Sequence, residues 1–119
     1  MIKKILLMSL TTGLLMGCTT TKTQYYWGNY EQLVYQMYAE PGEATPEVQI
    51  LKLTTDLQIT TDKGMVTPPG VNAHLGMMYA AAGNSEQALA AFENEKRLFP
   101  ESKKLMNDMI TRARGVQQK

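Results

Sequence analysis

The chain has 119 residues, 44% of them hydrophobic, a formal net charge of +1, one cysteine and one histidine. That length holds one small domain around a single core, and a single thiol excludes an intramolecular disulfide. The near-neutral charge provides no electrostatic footprint for nucleic acid, and a lone His74 excludes a histidine-rich metal site.

The first element is MIKKILLMSLTTGLLMGC, in which Lys3 and Lys4 precede a mostly apolar run from Ile5 to Leu15, and Gly17 precedes Cys18. This cationic, apolar and small-residue order is that of a secretory signal. The run falls short of the roughly 20 residues that a membrane-spanning helix needs, and it gives way to the polar TTTKTQ. Leu15-Met16-Gly17-Cys18 resembles the bacterial lipobox. The resemblance implies a signal peptide over 1–17 and cleavage before Cys18. It further implies a diacylglyceryl group on the Cys18 sulfur and an N-acyl chain such as palmitate on the new terminus. At about 0.8 kcal/mol per buried CH₂, two or three acyl chains hold a protein on a bilayer for good. Thr19 and Thr20 stand where an Asp, by resemblance to enterobacterial sorting rules, favours inner-membrane retention. The expected address is therefore the outer membrane, facing the periplasm. Residues 18–24 read as a lipidated polar tether with a reach of roughly 20 Å. Residues 25–119 read as the folded domain. Without Lys3 and Lys4, the 12 Lys and Arg fall to 10 against 11 Asp and Glu, a net charge near −1.

Helical periodicity dominates the remainder. Tyr30, Leu33, Val34, Met37 and Tyr38 recur at i, i+3, i+4, i+7 and i+8, and Pro41-Gly42 ends that helix. Thr45-Pro46-Glu47 supplies an N-cap, a proline at the first helical position and an acidic first turn. Along the next helix Ile50, Leu53 and Leu57 form one stripe. Val48, Leu51 and Thr55 form a second, so this helix is expected to be covered on both sides and to sit at the centre. The β-branched QITTDKGMVT, 58–67, is the best strand candidate and ends at Pro68-Pro69-Gly70. Val71, Leu75, Met78, Tyr79 and Ala82 then make a stripe that stops at Gly83, suited to a left-handed C-cap. Asn84 is expected to cap the following helix, with Gln87 completing a capping box. Ala88, Phe92 and Phe99 mark its buried face, and Pro100 stops it. Ser102 is expected to cap a last helix carrying Leu105, Met106, Met109, Ile110 and Ala113, with Lys103, Lys104, Asn107 and Asp108 outside. The expected class is all-α, with about five helices.

From Pro69 the hairpin resembles the tetratricopeptide repeat, TPR, a 34-residue helix-turn-helix unit. Leu75, Gly76, Tyr79, Ala88, Phe92 and Pro100 fall on its signature positions, so the best-matched repeat is 69–102. Asn72 replaces the usual Trp and Glu95 the second small Ala, which puts tight packing near Glu95 in question. One repeat cannot bury its own faces. Trp27, Tyr30 and Val34 fit a degenerate first repeat, with Glu31 at the glycine position. The resemblance implies TPR-like antiparallel hairpins closed by a C-terminal capping helix. The lipobox, YYWGNY, PPGVNAHLGMMYA and QALAAFENEKRLFPES together resemble a family of short uncharacterised bacterial outer-membrane lipoproteins that carry such a repeat. Its members are often encoded beside other small lipoproteins, one of them similar to the curli secretion channel. That implies a cell-envelope assembly and carries over no catalytic residue.

Candidate chemistry is sparse. No motif brings Ser, His and Asp together as a nucleophile system. Neither a catalytic site nor a metal is expected, and no cofactor beyond the covalent lipid on Cys18. On the repeat template Ala73, His74, Met77, Ala80 and Ala81 face the concave groove beside Gly70; the other placement packs His74 and Met77 against the first hairpin. The groove lacks the lysines and asparagines with which other TPR proteins clamp a peptide carboxylate. A second surface is aromatic: Tyr30 and Tyr38 lie on the core stripe, while Tyr25, Tyr26 and Tyr35 lie off it. Trp27 and Tyr35 suit a half-wet contact with a partner or a headgroup layer. Lys96, Arg97, Lys103, Lys104, Arg112 and Arg114 are interleaved with acids and read as a solvated face. The expected function is an outer-membrane-anchored interaction or scaffolding module in a secretion or surface assembly. The other reading is an accessory regulator of a peptidoglycan-synthesis enzyme. Expected partners are envelope proteins, including neighbouring lipoproteins of a secretion-channel-like assembly, and the membrane through the lipid. Neither nucleic acid nor a small-molecule substrate is expected.

Overall fold

A computed structural model describes residues 23–116. They form five α-helices and no strand: α1 Tyr30–Ala39, α2 Pro46–Asp62, α3 Val71–Ala81, α4 Ser85–Leu98 and, after a 3₁₀ turn at Pro100–Ser102, α5 Lys103–Val116. The fold is all-α. No helix among the described residues is long and apolar enough to cross a membrane. The expectations for the signal peptide and for Cys18 lie outside the described residues.

Local punctuation sets most boundaries. Pro46 opens α2 behind Thr45, whose Oγ1 accepts the Val48 N–H at 3.5 Å. α2 runs 17 residues and absorbs Gln58–Asp62 of the expected strand. Its β-branched residues are accommodated because the hydroxyls of Thr54, Thr55, Thr60 and Thr61 each donate to the carbonyl four residues back. What survives of the strand is one parallel bridge, Tyr25 to Val66, in which the Val66 N–H donates to the Gln24 carbonyl at 3.0 Å. The fold thus takes hold at Gln24, one residue inside the expected tether.

The turn from α3 to α4 is a Schellman closure. Gly83 sits at φ 81°, its N–H donates to the Ala80 carbonyl, and the Asn84 N–H donates to the Tyr79 carbonyl at 2.8 Å. Asn84 stands at the N-cap of α4, but its side chain makes no capping bond. In so tight a turn its backbone already closes α3, so the expected capping box does not form. Ser102 likewise lies in the 3₁₀ turn, where its hydroxyl donates to the Phe99 carbonyl at 2.7 Å.

Two core clusters flank the α3–α4 hairpin. Leu33, Leu53, Val71, Leu75 and Ala91 join it to α1 and α2; Ala88, Phe92, Met106, Ile110 and Ala113 join it to α5. Tyr79 packs against both. The centre of the stack is therefore this hairpin, not α2 as expected. Leu51, 68% exposed, and Val48 lie on an uncovered side of α2, and Leu105 on α5 is exposed as well. The side of α2 that is buried carries Gln49, Leu53, Asp56 and Thr60.

Gly76 on α3 faces the Phe92 ring of α4 with no room for a side chain. A Cβ there would lie 2.5 Å from Phe92 Cε1, and that ring is 1% exposed and cannot retreat. Gly76→Ala should cost about 1–3 kcal/mol through overpacking, outweighing a helix-propensity gain of about 1 kcal/mol. Thermal unfolding followed by circular dichroism checks this, and Phe92→Leu in the same chain should restore part of the loss.

Candidate functional site

Three buried polar groups hold helices together: Asp56, Glu95 and the His74–Gln49 pair. Asp56 on α2 is 4% exposed; its Oδ2 accepts the Asn29 N–H at 2.7 Å and its Oδ1 accepts the Asn29 side-chain amide at 3.0 Å. Glu95 on α4 is 3% exposed; its Oε1 accepts the Gly70 N–H at 2.7 Å and its Oε2 the Ala73 N–H at 3.3 Å. Asn29 and Gly70 are the N-caps of α1 and α3. In both hairpins, then, a carboxylate from the second helix satisfies the orphan N–H groups that open the first, where the helix dipole favours negative charge. The departure of Glu95 from the repeat pattern is a capping device, and its side chain is buried.

His74 is buried and bonds through Nε2 to Gln49 Oε1 at 2.7 Å. Gln49 Nε2 donates to the Ala44 carbonyl at 2.9 Å. The amide oxygen is thereby turned to the imidazole, so His74 Nε2 carries the proton. Tyr30 meets the ring edge-on, centroids 5.8 Å apart. Burial holds the His74 pKa below its ordinary value, and burial, with Glu95 and Tyr38 adding, raises that of the Tyr30 hydroxyl. His74 thus packs against the first hairpin instead of facing an open groove. Because the fold favours neutral His74, its contribution is full above the ordinary histidine pKa of about 6.5. It declines as pH falls through the lowered folded value, since the unfolded chain takes the proton first. The thermal midpoint should fall by a few degrees between about pH 7 and pH 5, and His74→Gln should flatten that part of the profile.

The five residues expected to share the concave groove separate. Ala73 and Met77 are half-buried against the second core cluster, while Ala80 and Ala81 are exposed. Met77 and Ala80 line a groove of about 280 Å³ between α3, α4 and α5, with Phe92, Met109, Arg112 and Ala113. Trp27 lines another of about 390 Å³ with Tyr30, Glu31 and Val34. Tyr35 is 61% exposed and Tyr38 is 77% exposed, which removes Tyr38 from the core stripe. Five residues after Leu33, it lies about 140° around the helix from that buried position. Tyr35→Ala should change stability by no more than about 0.5 kcal/mol, read as an almost unchanged thermal midpoint.

Met109 and Arg112 were not legible as groove walls, since one belongs to an apolar stripe and the other to a mixed charge run. Most of that run is solvated: Lys104 pairs with Asp108 in an exposed contact that contributes little, while Lys96, half-buried, pairs with Glu93 and donates to Asn107. Among the described residues no three His, Cys, Asp or Glu side chains stand together in a metal-ligand group.

Neither the curated proteins nor the solved structures provide a match to the chain. Residues 24–109 match a family described as "Domain of unknown function (DUF4810)". The matched span starts at Gln24, where the bridge takes hold, and ends inside α5, so it contains both hairpins and both buried carboxylates. It covers well over half of the sequence, and the chain belongs to the DUF4810 family.

Proposed function

We propose that this protein is an outer-membrane lipoprotein, anchored through Cys18 and facing the periplasm, whose TPR-like hairpins form an interaction or scaffolding module of a cell-envelope assembly. Residues 1–17 are its signal peptide in this reading. The lipobox supports the anchor. The close approach of Gly76 to Phe92, the full burial of Ala88 and the position of Tyr79 between two cores support the repeat architecture.

The observation that carries the binding reading is the groove between α3, α4 and α5. Met77, Ala80, Phe92, Met109 and Ala113 line it with apolar surface, and Arg112 adds one charge. Two methionines adapt to a partner's shape, and a groove of this kind accepts the apolar anchors of a helix or extended segment. Arg112 has no ion pair among the described residues, so it is available to a carboxylate on that partner. Asp56, His74 and Glu95, by contrast, are occupied by structural hydrogen bonds.

A photo-crosslinking residue placed at Met77, and another at Tyr35, tests this in intact cells, with adducts identified by mass. The expected result is a Met77 adduct with another envelope protein, such as a neighbouring lipoprotein. An adduct with a peptidoglycan-synthesis enzyme would reassign the module to regulation of that enzyme, and silence at both positions would sink the interaction reading. Intact mass of the purified protein checks the anchor, which fails if Cys18 is unacylated.

A further inference from the structure

The chain enters the fold at one fixed place. The Tyr25–Val66 bridge and the Val66 N–H to Gln24 carbonyl bond set that place beside the turn that follows α2. Thr23, Gln24, Lys63, Gly64, Met65 and Val66 line a cleft of about 360 Å³ there. Around it the surface is amphipathic. Val66 is 48% and Trp27 is 42% exposed, and the Trp27 ring meets Tyr25 edge-on at 5.9 Å. Lys63 Nζ stands 4.4 Å from the centre of the Tyr26 ring. The adjacent Asp62 accepts from Gln58 Nε2 at 2.8 Å, and Lys63 has no ion pair among the described residues.

Aromatic rings, one aliphatic side chain and an ammonium on a flexible stem are what the boundary between headgroups and acyl chains accommodates. Distance selects the same occupant. Only residues 19–23 separate Cys18 from Gln24, and the six extended steps between them reach about 20 Å. With an anchor at Cys18, this end of the domain cannot leave the neighbourhood of the bilayer.

We infer that the tether end, formed by Gln24–Trp27 and Lys63–Val66, is a membrane-seating surface. Trp27 and Val66 enter the headgroup boundary, and Lys63 meets a lipid phosphate. The inference rests on the Cys18 anchor proposed above. The seat fixes the orientation of the domain, and it shares no residue with the groove lined by Met77 and Arg112.

Trp27 is the only tryptophan, so its fluorescence reports this contact alone. Full-length protein purified from membranes is reconstituted into vesicles of phosphatidylethanolamine and phosphatidylglycerol, with and without bromine on the acyl chains. The expected result is a blue-shifted Trp27 emission that brominated lipid quenches and aqueous iodide does not. Lys63→Glu and Val66→Glu should each reverse that pattern while the protein still floats with the vesicles and keeps its helical circular dichroism. Protein that floats but whose Trp27 is quenched by iodide and untouched by bromine would overturn the seating and leave the anchor intact. Protein that neither floats nor carries acyl mass on Cys18 would overturn both.

Discussion

Glu95→Ala restores the small residue that the repeat pattern expects, and it should destabilise the protein severely. The substitution leaves the Gly70 and Ala73 N–H groups without their acceptor inside the fold and removes the negative charge at the start of α3. An unsatisfied buried donor costs about 1–3 kcal/mol, and a charge-assisted bond is roughly twice as strong as a neutral one. A loss of about 3 kcal/mol follows, equivalent to roughly 12–24 °C in a domain of this size. Glu95→Gln retains one acceptor oxygen and the side-chain length, so it should lose about half as much. Thermal and urea unfolding of the three proteins decide the matter; an alanine variant within about 1 kcal/mol of wild type would mean that the cap contributes little.

Asp56→Ala should act on the first hairpin with a comparable loss of about 3 kcal/mol, because it strips the acceptor from both the backbone N–H and the side-chain amide of Asn29. This site also provides an internal check. Gly28 lies at φ 48°, and a Cβ there would collide with the Asp56 carboxylate. Gly28→Ala should therefore be costly in wild type, from the left-handed backbone and the collision together, and distinctly less costly in Asp56→Ala. The difference between the two backgrounds is a coupling energy, and its absence would contradict the close approach.

Much of the fold was legible because helix boundaries are written locally. Thr45-Pro46, Gly83 and Pro100 each act within a few residues of themselves. The burial pattern was less so. Periodicity identified Leu33, Leu53 and Phe92 correctly, yet it also marked Tyr38, Leu51 and Leu105, which face water because no neighbouring element extends over them. The two buried carboxylates were illegible for another reason. Their partners are backbone N–H groups more than twenty residues away, and a backbone amide has no signature in a sequence. The same holds for His74, whose pairing with Gln49 joins two residues that share no motif. As for the site, the expected groove set held Met77 and Ala80 but lacked Arg112, which a charge count assigns to solvent until α5 is seen beside α3.

The bridge between Tyr25 and Val66 has a mechanical consequence. A pull on the chain N-terminal to Gln24 reaches the helices first through one backbone hydrogen bond, whereas each helix is held by many bonds that must yield together. Under tension the segment Gln24–Gly28 is expected to peel away before either hairpin unfolds. Asp56 then becomes the stop, since its bonds to Asn29 take up the load next. Load arriving along the N-terminal chain is thus expected to be met at this entry segment before it reaches the hairpins.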